Sequence, residues 1–262
     1  MNVHPSPPPR PPVPVRDILG IPVAALSWPD ALGMLRGLVD ERRFTRVGFL
    51  NAHNANVASR DKAFASALQG FLVLPDGVGV DIAARILHGA PFPDNLNGTD
   101  MVPALIESIA RPVTIGLLGA TRENAGGAAE SLSVLAPQHT YVVIHDGYFS
   151  SAEEPAILSR ILELRPDILL VAMGVPRQEF WIASNLDGSF CTMPIAVGAL
   201  LDFLSGSVPR APVWMRRMRI EWVFRLWIEP GRLWRRYIIG NPVFLARVLA
   251  QKLMGVRRPA LR

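Results

Sequence analysis

A parallel α/β sheet with helices on both faces, followed by a C-terminal helical appendage, is the fold class this sequence predicts. Three observations carry the prediction. Short apolar runs alternate with longer helix-like segments over about 200 residues, which is the pattern of a parallel sheet. The runs are apolar throughout rather than alternating, as strands buried on both faces are. After Gly206 the chain becomes basic and rich in Trp, with four of its six tryptophans there.

The strand candidates are RVGFLN (46–51), FLVL (71–74), VTIGLLG (113–119), TYVVIHD (140–146), DILLVAMG (167–174) and TMPIAVG (192–198). Helix-like segments lie among them at 31–43, 55–70, 99–110, 121–136 and 152–165. In an open α/β sheet a ligand binds beyond the carboxyl ends of the strands, where the strand order switches direction. Here those ends carry Asn51, Asp76, Gly119, Asp146, Gly174 and Gly198. The position of a site follows from this; the reaction does not.

Three segments are expected: a proline-dense tail over 1–15, a catalytic core over 16–204 and the basic appendage over 205–262. The tail, MNVHPSPPPRPPVPV, has little to bury and reads as polyproline-like. It lacks the apolar stretch of a signal peptide, and no apolar run approaches the ~18 residues needed to span a bilayer. A cytosolic protein, or one attached to a membrane surface, is expected. The single cysteine, Cys191, excludes an internal disulfide framework and a cysteine zinc cluster.

Charge is unevenly placed. From Ser205 onward there are 13 Lys and Arg against Glu221 and Glu229, a net +11, and the rest of the chain carries 14 basic and 20 acidic residues, a net −6. A basic end of this kind suits an anionic partner, whether phosphate, nucleic acid or acidic lipid. Arginines among Trp and Tyr fit a membrane interface; a helical pair with a solvated basic face is the alternative. Pro230 and Pro242 are each placed to start a helix.

Among the motifs, LPDGVGV has only two of the three glycines of a dinucleotide fingerprint, and no phosphate-loop lysine pattern occurs. The five histidines show no paired ligand spacing; His53, just past a strand end, could approach a ligand, but reads more readily as a polar residue at a helix start. AMGVPRQEFW is more specific. A buried strand ends at Gly174, Pro176 can open a helix, and Arg177, Gln178 and Glu179 fall in its first turn, where free N–H groups suit a nucleotide or sugar hydroxyls. Read alone, Asp76 is a helix cap as readily as a catalyst, and Asn51 a strand terminator.

Taken in order, LNAHNANVA, LPDGVGV, NGTD, DGYF, AMGVPRQEFW, VGALLDFLSG and EWVFRLWIEPGRLWRRY resemble the WecG/TagA/CpsF family of bacterial glycosyltransferases, glycosyltransferase family 26, over about Val15 to Tyr237. The resemblance implies a Rossmann-like core and a helical appendage. It also implies inverting transfer of a sugar from a UDP-sugar (N-acetylmannosamine, its uronic acid or glucose) to a polyprenyl-diphosphate-linked saccharide in exopolysaccharide or other cell-surface polysaccharide synthesis. No cofactor and no metal are expected, and the enzyme would sit peripherally on the inner face of the plasma membrane.

By the same resemblance Asp76 is the general base and Asn51 and Gln178 position substrate. Arg225, Arg232 and Arg235 close over the donor diphosphate, with Arg236 a neighbour. Many family members carry an arginine where Asn95 stands, so either Arg85 supplies that charge or the acceptor is held differently. Two other readings compete: an NAD-dependent oxidoreductase, for which the glycine fingerprint is incomplete, and a basic nucleic-acid-binding protein. A homo-oligomer is left open by the sequence.

Overall fold

The computed structural model describes residues 13–212, 214, 215, 218 and 220–255, the side chain of Arg232 excepted. Most of the proline-dense tail, and Arg216, Arg217, Arg219, Arg257, Arg258 and Arg262 of the basic appendage, therefore lie outside the described residues.

The chain opens with an antiparallel hairpin, β1 (Val15–Ile18) and β2 (Ile21–Ala24). There follow α1 (Trp28–Asp40), β3 (Val47–Leu50), α2 (Ala52–Ala58), α3 (Lys62–Leu68), β4 (Leu72–Pro75), α4 (Val78–His88) and α5 (Gly98–Ser108). The second half continues with β5 (Thr114–Gly119), α6 (Arg122–Leu135), β6 (Thr140–His145), α7 (Glu154–Leu164), β7 (Ile168–Ala172), α8 (Arg177–Asn185), β8 (Met193–Ala196) and α9 (Leu200–Leu204). The appendage comprises α10 (Glu221–Ile228), α11 (Pro230–Trp234), a π-helical turn (Arg235–Ile239) and α12 (Gly240–Gly255).

All six strands expected from the apolar runs pair in one parallel sheet, in the order β4-β3-β8-β7-β5-β6. Successive residues of β7 serve opposite faces: Ile168, Leu170 and Ala172 join the cluster under α1, α5, α6 and α9, while Leu169 and Val171 join the one under α2, α3, α4, α7 and α8. Both faces are covered, which is why the strands are unbroken apolar runs. From β3 the chain leaves toward β4, whereas β8 is entered from β7 on the other side. The switch in direction therefore falls between β3 and β8.

Three local features differ from the sequence reading. The hairpin was not expected: each strand is only four residues long, and Ile18, Ile21 and Val23 are buried by tertiary packing. The single helical segment expected over 55–70 is two helices, because Asp61 accepts hydrogen bonds from the N–H groups of Ala63 and Phe64 and so caps a new start. Pro230 does open α11, but Pro242 lies in the first turn of α12, reached through the π-helical turn without a break.

The end of the described chain returns to the core. Phe244 and Val248 of α12 are fully buried in the cluster beneath α2 and α4. The Asn56 amide donates to the Gly240 carbonyl at 2.7 Å, and the Leu19 N–H donates to Gln251 Oε1 at 2.9 Å. By contrast α10 has no buried residue. Among the described residues no helix is long and apolar enough to cross a membrane.

Candidate active site

At the carboxyl ends of the strands two cavities lie side by side. The first, about 510 Å3, runs along the sheet edge from Asn51 and Asp76 past Gly174 and Gly198 to Gly147 and Tyr148. The second, about 560 Å3, lies between the start of α4, the Asn95–Asp100 loop and the apolar inner side of the appendage at Trp222, Tyr237 and Phe244. Each is large enough for a small organic ligand. Six residues line both: Asn51, His53, Asp76, Thr99, Arg225 and Arg236.

Asp76 directly follows β4, and its own N–H donates to the Leu50 carbonyl at 2.9 Å. It does not cap α4. The cap is Gly77, whose φ of +91° only glycine adopts easily and which makes no side-chain capping bond. The Gly77 N–H instead donates to Asn95 Oδ1 at 2.7 Å, so Asn95 steadies the turn that presents Asp76. Asn51 does two things at once. Its Oδ1 accepts from the Asn54 N–H at 3.0 Å and caps α2, and its amide donates to Asp76 Oδ2 at 3.1 Å.

Burial raises the Asp76 pKa; the Asn51 hydrogen bond and the guanidinium groups of Arg236 and Arg225 pull it back, and Asp100 pushes it up. Burial makes the carboxylate more basic and the cations oppose this, and a carboxylate so placed is suited to take a proton. His53 beside it is driven the other way, to about 4, by burial and by Arg236, and so is neutral at pH 7. Glu221 in the second cavity is raised by burial, against Arg210 and Arg225.

Gln178 is buried on the floor of the first cavity. Its Oε1 accepts from the N–H groups of Gly174 at 3.2 Å and Gly198 at 3.1 Å, tying the ends of β7 and β8 together. Arg177 donates to the carbonyls of Gly147 at 2.9 Å and Phe149 at 3.2 Å and holds the rim beyond β6.

The structure thus brings Asp76, Asn51, Asn95, Gln178 and Arg225 together. Arg225 lies 5.2 Å from the Phe203 ring centre and Arg236 5.6 Å from that of Tyr237, each over an aromatic face at the site. Arg235 is not brought in: it is exposed, stacks on Trp234 and lines neither cavity. Arg232 falls in α11 with its side chain outside the described residues. Arg85 also fails to reach the site. It is exposed in the last turn of α4, about 12 Å along the axis from Gly77 at 1.5 Å per residue, and lines neither cavity. The guanidinium that meets the Asn97–Asp100 turn is that of Arg210, paired with Asp100.

Glu221 was not singled out from the sequence, and His53, Glu179 and Arg236 were noted there without a role of their own at the site. For His53 the signal was its place two residues after Asn51, in the first turn of a helix starting at a strand end. For Glu179 the signal was its place beside Gln178 in the first turn after Pro176, where an ordinary helix-start Glu was the competing reading.

The parallel α/β sheet thus carries a two-part crevice at its strand ends, with Asp76 at the partition and Arg225 and Arg236 beside it. The family model of the glycosyl transferase WecG/TagA/CpsF family matches residues 16–258, and the chain belongs to that family; it is a glycosyltransferase. Among curated proteins it is similar to the N-acetylglucosaminyldiphosphoundecaprenol N-acetyl-beta-D-mannosaminyltransferase of Bacillus subtilis (strain 168), 27% identical with 82% of each chain covered. It is also similar to the protein of that name from Staphylococcus aureus (strain NCTC 8325 / PS 47), 28% identical over 77% of this chain and 78% of the relative.

Proposed function

We propose that this enzyme transfers a hexose from a UDP-sugar to a polyprenyl-diphosphate-linked saccharide with inversion, as a step in cell-surface polysaccharide synthesis. The single observation that carries the reading is Asp76 on the wall shared by two cavities, with Arg225 and Arg236 on the same wall. The donor occupies the cavity along the sheet edge, and the acceptor enters from the one beneath the appendage.

Asp76 removes the proton of the acceptor hydroxyl as that oxygen bonds to the anomeric carbon of the donor. The bond from this carbon to the diphosphate breaks, and UDP leaves with the electron pair. One displacement, with the nucleophile and leaving group on opposite faces, inverts the centre. Arg225 and Arg236 stabilise the charge that builds on the departing diphosphate; Arg232 shares this role by family resemblance. The relatives' names support N-acetylmannosamine as the first sugar to test and an N-acetylglucosaminyl lipid diphosphate as acceptor.

Membrane attachment is part of the proposal. Exposed Trp214, Trp227, Trp234, Ile238 and Ile239 with neighbouring arginines form a surface suited to a lipid headgroup layer. The test of function is incubation of the full chain with a panel of UDP-sugars and an N-acetylglucosaminyl polyprenyl-diphosphate analogue, scoring UDP release and the anomeric configuration of the product. Acceptor-dependent release with a β-linked product from an α-linked donor is expected. No acceptor-dependent release from any UDP-sugar would sink the reading, and retention would sink its single displacement.

A further inference from the structure

Glu221, the first residue of α10, has no part in the reaction above. With Trp222 and Tyr237 it lines the cavity beneath the appendage, and none of the three lines the one along the sheet edge. Their polar groups are unengaged. The Glu221 carboxyl, the Trp222 indole N–H and the Tyr237 hydroxyl make no hydrogen bond to another described residue, and no described cation stands within 4 Å of Glu221. All three residues are half-buried, and their polar atoms stay open to solvent.

The core wall of the same cavity differs. Asn95 is engaged by the Gly77 N–H at 2.7 Å, the Asn97 amide donates to Asp100 at 2.9 Å, and Asp100 is paired with Arg210. Polar groups on one wall are thus satisfied within the protein, and those on the other await a partner.

The character of the open wall narrows the partner. An ionised carboxyl only accepts, an indole only donates, and a phenol does both. Beside them the Trp222 and Tyr237 rings stand 5.8 Å apart, tilted by 53°, and offer apolar faces. A sugar ring, with C–H faces and hydroxyls around its edge, matches this mixture.

The acceptor has two other parts, and both fit poorly. A diphosphate would meet Glu221 with Asp76 and Asp100 near enough to raise its pKa further. An isoprenoid chain would cover the carboxyl and give it no hydrogen bond. Position agrees with chemistry. The attacking hydroxyl belongs to the acceptor sugar and must reach Asp76, which lines this cavity and lies within electrostatic range of Glu221.

We propose that Glu221 reads the acceptor sugar: its carboxyl accepts a hydrogen bond from a group of that sugar other than the attacking hydroxyl, with the ring against Trp222 and Tyr237. This rests on the acceptor placement given above.

The experiment is steady-state kinetics on the full chain, for wild type, Glu221→Gln and Glu221→Ala, with UDP-N-acetylmannosamine and the N-acetylglucosaminyl polyprenyl-diphosphate analogue. UDP titration and inhibition by a polyprenyl diphosphate without sugar accompany it. Acceptor KM is expected to rise about tenfold or more in Glu221→Ala, the size of a lost hydrogen bond to a charged group. Glu221→Gln keeps the volume and an accepting oxygen, so it reports even if Glu221→Ala fails to fold. Its acceptor KM should rise about fivefold, the difference between a charged and a neutral partner. UDP affinity, donor KM and inhibition by the sugar-free diphosphate should hold. Among acceptors each lacking one hydroxyl or the acetamido N–H, one should lose the same factor on wild type and nothing further on Glu221→Ala.

UDP binding that weakens in step with acceptor KM would make Glu221 a support for Arg225 and overturn the assignment. Weaker inhibition by the sugar-free diphosphate would move the contact to the lipid diphosphate and overturn it as well. Unchanged acceptor constants, or no single acceptor group matching the loss, would leave Glu221 to water and overturn it, with the transfer reading intact. If wild type shows no acceptor-dependent UDP release, both readings fall together.

Discussion

The strand-end floor and the arch of α10, α11 and the π-helical turn face each other across the same cavities but are held in different ways. On the floor each polar group is set by a backbone partner: Asn51 by Asn54, Asn95 by Gly77, Gln178 by Gly174 and Gly198. On the arch α10 buries nothing, and Arg225 and Arg236 lie against aromatic rings. The arch is secured from beyond, by Phe244 and Val248 of α12 in the core. Asp76 and Gln178 therefore sit on a scaffold fixed by backbone hydrogen bonds, whereas Arg225 and Arg236 sit on a cover held by fewer contacts. Bond-making should be sensitive to the floor, and donor retention to the arch.

The sharpest break of this division is Asp76→Asn. It leaves the shape of both cavities and removes only the base, so turnover should fall by about 10²–10⁴ while UDP affinity holds. Comparing single-turnover rates with UDP titration checks this. Near-normal turnover would take the role of base from Asp76.

The arch answers to the opposite substitution. Arg236→Ala, and separately Arg225→Ala, should weaken UDP binding and donor use by about tenfold to a hundredfold. That is less than the ~10²–10³ of a fully enclosed donor group, because both arginines are partly exposed. The loss should shrink as salt is raised, since part of what is removed is a screened charge. A fall in kcat with unchanged UDP affinity would place these arginines with the chemistry and blur the distinction.

How much of this was legible in the sequence follows the same line. The six parallel strands were, because burial on both faces writes itself as unbroken apolar runs such as ILLVA in β7. The hairpin was not, since its four-residue strands owe their burial to distant helices. At the site, the strand-end position marked Asn51 and Asp76, and motif order raised Asp76 above an ordinary cap. What one sequence could not carry is direction. Arg235 and Arg236 are adjacent letters, yet a π-helical turn sends one outward onto Trp234 and the other over the cavity. Glu179 was named with Gln178 in the first turn after Pro176, but its burial was not legible, since a Glu in a first turn looks solvated.

A smaller effect tests how the floor tunes its base. The Asn51 amide stabilises the Asp76 carboxylate, so Asn51→Ala should raise the Asp76 pKa above its already elevated value. The active form is the carboxylate, which appears as pH rises through that pKa. The acid limb of kcat/KM against pH should therefore move to higher pH, with the basic limb in place. Loss of the α2 cap adds about 0.5–2 kcal/mol of destabilisation, visible in the denaturation midpoint. A destabilised variant whose acid limb has not moved would leave Asn51 a cap and nothing more.

The smallest effect lies on the outer surface of the arch. Trp227 is 80% exposed and lines neither cavity. Trp227→Ser should leave fold stability and turnover on a short, water-soluble acceptor unchanged. If the arch meets a bilayer, the same variant should bind vesicles containing anionic lipid about tenfold less tightly, from the ~1.5 kcal/mol at the low end for burying one large apolar side chain. Turnover on a full-length lipid acceptor in such vesicles should fall with it. Unchanged vesicle binding would leave the arch with one duty, over the diphosphate, and would shift membrane attachment to another part of the chain.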